Sequence, residues 1–153
     1  MTNVFLIEAL KSLQTPVKIA TAAAYFQKAY SGSRLGRPEA AEQIAANSTT
    51  ILTSDISLEE KNAFFSFAKM AVLEQTENLK DDARYELIAG SFLSTTSLLD
   101  EAVLHLERAR ELMLGKQQIY FELGAAYVNK KEPLKALQIF KEAYELAPEY
   151  PEA

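Results

Sequence analysis

No cysteine occurs among the 153 residues, so disulfides and thiolate chemistry are excluded, and the compartment cannot be read from redox logic. Glycine and proline are scarce, five of each, and β-branched runs are few. That bias favours helix. Basic charge is in deficit: 16 Lys and Arg stand against 21 Asp and Glu, for a formal net charge of −5. A broad electrostatic grip on nucleic-acid phosphates is therefore not expected. Long apolar runs are missing as well. Stretches such as Ala22–Phe26 fall far below the ~20 residues needed to span a bilayer, and Met1 is followed by no basic segment of a signal peptide. Taken alone, the chain reads as soluble. What remains is globular: 48% hydrophobic and 24% charged residues argue against disorder, and the length suits a single domain with a sizeable core.

The side chains of catalysis are equally sparse. His105 is the only histidine; it sits in VLHLER beside Leu104 and Leu106, with no second ligand or nucleophile at usable spacing. Ser31–Gly36, SGSRLG, lacks the Lys-Ser/Thr ending of a phosphate loop and reads as a turn. Glu59–Glu60 and Asp81–Asp82 fall at helix starts, where carboxylates offset the helix dipole. Lys130–Lys131 falls in an inter-helix loop and reads as solvated. No catalytic residue, metal site or cofactor is expected.

Residues 117–150, QQIYFELGAAYVNKKEPLKALQIFKEAYELAPEY, carry the clearest pattern. Tyr120, Leu123, Gly124 and Tyr127 fall at i, i+3, i+4 and i+7, one face of a helix. Pro133 suits the first position of a second helix. There Ala136, Phe140, Ala143 and Ala147 mark one face, and Pro148 stops the helix. Gly124, Ala136 and Ala143 are small where the two helices must approach. This set, in this order, resembles the tetratricopeptide repeat, a helix pair used in interaction surfaces. Subtracting 34 from Gly124, Ala136 and Ala143 gives Gly90, Ala102 and Ala109, with Leu93 for Tyr127 and Leu106 for Phe140. Glu86 replaces Tyr120, so Tyr85 or Leu87 must supply the aromatic or apolar contact there. Pro148 has no counterpart, and Gly115 can end that helix instead.

The remainder is helical with a weaker register. Asn3 reads as an N-cap, and Thr15 with Pro16 as cap and first residue of the next helix. Ala22, Phe26 and Ala29 repeat the spacing of Ala136, Phe140 and Ala143. Residues 3–36 thus form a degenerate repeat, with Leu10 in the glycine position. Residues 37–82 form an irregular pair, its second helix opened by the capping box Ser57–Glu60. Residues 83–116 and 117–150 are two full repeats. The expected architecture is an all-α, tetratricopeptide-repeat-like solenoid of four antiparallel pairs in one domain, 1–153.

That resemblance also implies a concave face, lined from the first helix of each pair by Arg84, Leu87, Ser91 and Ser94, then Gln118, Phe121, Ala125 and Val128. The expected partner is a protein or peptide, with backbone bonds from Arg84 and Gln118 and apolar anchors from Leu87, Phe121 and Val128. The same face could instead pack on the N-terminal helices. Members of the class that clamp terminal carboxylates carry Lys and Asn where this chain has Leu87 with Ser91 and Phe121 with Ala125, which argues against that clamp. A glycan-binding groove or small enzyme near Tyr120, Tyr127 and Arg84 is the alternative. Leu137, Phe140, Tyr144 and Tyr150 are expected to leave an apolar end that self-associates. The sequence AAAYFQKAYSGSRLGRPEAAEQIA (22–45), then FFSFAK, then LDEAVLHLERARELMLGKQQIYFELGAAY is further similar to the soluble C-terminal region of bacterial O-antigen ligase/polymerase-type membrane proteins. The similarity spans Tyr25 to Leu146. It implies an accessory domain, with glycan transfer in a membrane portion that these residues do not include.

Overall fold

The computed structural model describes residues 2–14 and 19–146. Among them lie eight α-helices and no strand: α1 (Thr2–Ser12), α2 (Ile19–Gly32), α3 (Arg37–Thr53), α4 (Leu58–Asn78), α5 (Ala83–Thr95), α6 (Leu99–Leu112), α7 (Gln117–Asn129) and α8 (Pro133–Glu145). A short 3-10 turn, Arg34–Gly36, joins α2 to α3. Helices pair as α1 with α2, α3 with α4, α5 with α6 and α7 with α8. This is the all-α, tetratricopeptide-repeat-like fold read from the sequence. The chain divides into two compact units, Met1–Lys80 and Asp81–Ala153.

Local chemistry sets most helix ends. Ser57 caps α4: its hydroxyl accepts from the Glu60 N–H at 3.2 Å, and the Ser57 N–H donates to Glu60 Oε2 at 2.9 Å. Asp82, not Asp81, caps α5 by accepting from the Arg84 N–H at 2.9 Å. Pro133 opens α8, where its missing N–H costs nothing. Two end assignments need correction. Asn3 lies inside α1, which begins at Thr2, and α6 stops at Leu112 without using Gly115, since no glycine has positive φ among the described residues. Thr15, Pro16, Ala147, Pro148 and Tyr150 lie outside the described residues.

The ends of α5 and α7 carry a device without a glycine signature. Ser97 and Lys131 adopt φ of 65° and 60°. Beyond them the Leu98 N–H donates to Leu93 O and the Glu132 N–H to Tyr127 O, each at 2.9 Å. These six-residue closures, with Ser97 N–H to Ser94 O and Lys131 N–H to Val128 O inside them, satisfy carbonyls that a helix end otherwise leaves open.

In the first unit Phe26, Ile44, Ile51, Phe64 and Val72 fill the core together with close-packed alanines. One polar network is built into it. The buried Tyr30 hydroxyl donates to Glu74 Oε2 at 2.6 Å, and Gln75 Nε2 donates to Tyr30 Oη at 2.9 Å. Arg37 Nη1 bonds Glu74 Oε1 at 2.8 Å and stacks over the Tyr30 ring. Burial, then the bond to Glu74, pushes Tyr30 above the ordinary tyrosine range. Glu74 is held below the usual carboxylate range, chiefly by the Tyr30 hydroxyl, with Arg37 adding to it against a partial offset from burial. The raised phenol contributes stability that is complete below its unfolded value of about 10 and is lost as pH climbs through the folded one. Glu74 contributes stability that is complete above its unfolded value of about 4.3 and is lost as pH falls through the folded one. Resistance to denaturant should therefore fall as pH rises past about 10. Tyr30→Phe should flatten that alkaline limb, leaving the part due to Tyr127, which burial also raises. Identical alkaline limbs in the two proteins would exclude Tyr30 as a source.

Candidate interaction surface

The second unit is built around two close helix crossings. A Cβ added at Gly90 would lie under 3.0 Å from Leu106 Cγ and Cδ2, and 3.2 Å from the Ala102 carbonyl oxygen. One added at Gly124 would lie under 3.0 Å from three atoms of the Phe140 ring. Ala102, Ala109, Ala136 and Ala143 are buried on the facing helices, as are Tyr120, Leu123 and Tyr127. Most of these join one continuous cluster that also takes in Leu106, Ile119, Ala126 and Ile139, with Val103 and Phe140 packed against it. The small residues let the backbones approach, and the large ones fill the seam.

Glu86 is buried in this unit, and His105 Nδ1 lies 2.7 Å from its Oε2. His105 thus has one carboxylate partner, 19 residues away in the chain, that the local sequence around it does not indicate. One repeat later the same two places are Tyr120 and Ile139, both in the apolar cluster. A hydrogen-bonded polar pair has replaced an apolar pair, which satisfies groups that would be costly to bury alone. Subtracting 34 from Ile139 as well as from Tyr120 is the signal that finds it. Among the described residues, no three His, Asp or Glu side chains cluster to hold a metal ion.

The outward row of α7 is open. Gln118 and Ala125 are exposed, Phe121 is 49% exposed and Val128 53%. The Phe121 ring rests beside Phe140 at 6.4 Å between centroids, so its base is fixed while its face stays accessible. On α5, Arg84 is exposed and Ser91 and Ser94 are half-buried. Leu87 needs correction: it is 6% exposed and belongs to the cluster that includes α7's core residues. Its side chain reaches the seam, so it offers no anchor to a partner.

Two other expectations change. Tyr120 and Tyr127, on which a sugar-binding groove would rely, are buried. The Tyr120 hydroxyl donates to Leu114 O at 2.8 Å, and that of Tyr127 to Glu107 Oε1 at 3.1 Å. Lys130 is not simply solvated; its ammonium bonds Asp100 and lies 3.4 Å from Glu132 Oε1. Asp100 is held below the usual carboxylate range by this lysine. On α8, Leu137 is 53% and Tyr144 78% exposed, with Leu134 beside them, and Phe140 is half-buried.

Residues 117–150 match the family model of the tetratricopeptide repeat. No curated protein matches the sequence. Several solved structures share the fold. MamA from MSR-1 is 15% identical over 97% of this chain and 78% of that one, with a TM-score of 0.64. MamA residues 41 to the end from Desulfovibrio magneticus RS-1 is 17% identical over 94% and 78%, at 0.59. YrrB, described as a TPR protein with an unusual peptide-binding site, is 17% identical over 95% and 86%, at 0.54. Among the described residues, no helix is long and apolar enough to cross a membrane.

Proposed function

We propose that this helical-repeat chain is a non-catalytic scaffold that binds a peptide segment of a protein partner across the first-helix face of its last two repeats. The observation that carries the reading is the α7 row, where Phe121 and Val128 stay about half exposed on a helix whose opposite side is core. Gln118 and Arg84 flank that row with groups able to bond a peptide backbone, and Ser91 and Ser94 continue it on α5. A partner side chain of aliphatic or aromatic character would seat against Phe121. The similarity to YrrB supports the peptide as ligand class. Peptides selected from a random displayed library against the wild-type chain test the reading. Phe121→Ala should weaken them about tenfold, equivalent to about 1.4 kcal/mol, with folding retained. Peptides that bind Phe121→Ala and Val128→Glu as well as the wild type would refute this face.

We further propose self-association through the α8 face, using Leu137, Phe140 and Tyr144; Tyr150, named with them, lies outside the described residues. The exposure of Leu137 and Tyr144 is the support, with the half-buried Phe140 between them. Light scattering over a concentration series should show mass rising with concentration, and Tyr144→Glu should abolish the rise. A strict monomer in both proteins would remove the idea. The similarity of Tyr25–Leu146 to O-antigen ligase/polymerase-type proteins supports a finer reading, an accessory domain of a membrane glycan ligase or polymerase. It rests on that sequence similarity alone; the family model and the structural matches speak only for the repeat fold. A reading frame without apolar spans upstream of Met1 would end it.

A further inference from the structure

The SGSRLG turn, which has no part in the peptide-binding face, borders a pocket of about 360 Å³ in the first unit. Its walls include Arg34, Arg37, Pro38, Glu74, Gln75 and Asn78. We infer that this pocket is a binding site for an oxyanion, a carboxylate or phosphate group carried by a small ligand, held between Arg34 and Arg37.

The support is in how the two arginines are used. Arg34 is exposed at the pocket and makes no ion pair among the described residues. Arg37 gives Nη1 to Glu74, while its Nε, closed off from solvent, has no acceptor. Nε–H and Nη2–H form the side-on edge of a guanidinium, the edge that holds a carboxylate or phosphate through two parallel bonds. That edge is the one Glu74 leaves unused.

Glu74 is the group that would oppose an anion, and its charge is already engaged. One oxygen accepts from Arg37 and the other from Tyr30. The lining carries two guanidinium groups against this one carboxylate, so the pocket is locally cationic in a chain of net charge −5. An oxyanion would meet Arg34 and Nη2–H of Arg37 first. A small turn of the Arg37 fork on its Tyr30 contact would then give Nε–H its missing acceptor. Pro38 supplies an apolar wall for the body of the ligand.

The site does not depend on the peptide-binding reading, and the probes differ accordingly. Titration of the isotope-labelled chain with glutarate, and separately with inorganic phosphate, should give saturable amide shifts confined to residues 34–38 and 74–79. Glutarate alone acting would assign a carboxylate ligand, and phosphate alone a phosphate ligand. Arg34→Gln, an exposed change that leaves the Arg37–Glu74 pair in place, should weaken binding about tenfold. Absence of saturable shifts with both probes overturns the proposal, as does equal affinity in Arg34→Gln. Shifts that Lys141→Ala reduces as strongly as Arg34→Gln would show only general charge attraction and would overturn it too.

Discussion

Gly90→Leu is expected to lower the stability of the chain by about 2–3 kcal/mol, because an enlarged side chain in a packed seam displaces its neighbours. The conflict begins at the first added carbon, which would press on Leu106 and on the backbone oxygen of Ala102. A leucine rotamer can turn aside, but a helix carbonyl cannot. The better intrinsic helix propensity of leucine returns at most about 1 kcal/mol and does not reverse the sign. Gly124→Leu should be milder, since the three atoms nearest its added carbon all belong to the half-buried ring of Phe140, which can swing outward. Lys141→Ala, on an exposed position, should stay within about 0.5 kcal/mol of the parent. Urea unfolding ranks the three directly, provided the slope is unchanged. If Gly90→Leu melts no lower than Lys141→Ala, α5 and α6 do not approach as described.

Leu123→Ala should cost about 2–5 kcal/mol, the range for emptying a fully buried leucine site. Leu123 is 0% exposed and belongs to the cluster joining α6, α7 and α8. A domain holds only about 5–15 kcal/mol in reserve, so this variant should unfold at markedly lower denaturant. Phe121 is two residues away and points outward. Phe121→Ala loses its contact with the Phe140 ring, worth about 0.5–1.5 kcal/mol, yet should remove most of the peptide affinity. The two substitutions thus separate stability from recognition on a single helix. Phe121→Ala proving the more destabilising of the pair would mean that the outward row belongs to the core.

What was readable in the chain follows the range of the interactions involved. Gly90, Gly124 and the alanines across from them announced close crossings because packing at short distance admits few residue types. Ser57 and Glu60 announced their cap because both partners lie within one turn. The Tyr30–Glu74–Arg37 network joins residues from α2, the start of α3 and α4, and no local pattern links them. Glu86 and His105 each stand alone in the local sequence; only the same 34-residue subtraction applied to both helices brings them together. The position of Leu87 in the row predicts an outward side chain, whereas its length carries it into the seam. Ser97 and Lys131 gave no warning, since the left-handed turns they form ordinarily use glycine.

Those two turns have a consequence for how such a chain could be lengthened. Leu98 follows one left-handed residue and Lys131 is the next, so residues 98–131 begin and end at equivalent joints. The segment holds α6 and α7 whole, and both joints close with the same backbone bonds. Copied in tandem, it would supply its own junction each time, with Lys131 standing where Ser97 stands now. The unit of duplication marked by the backbone is therefore offset from the helix pair marked by the side chains: it starts at a second helix and ends after the next first one.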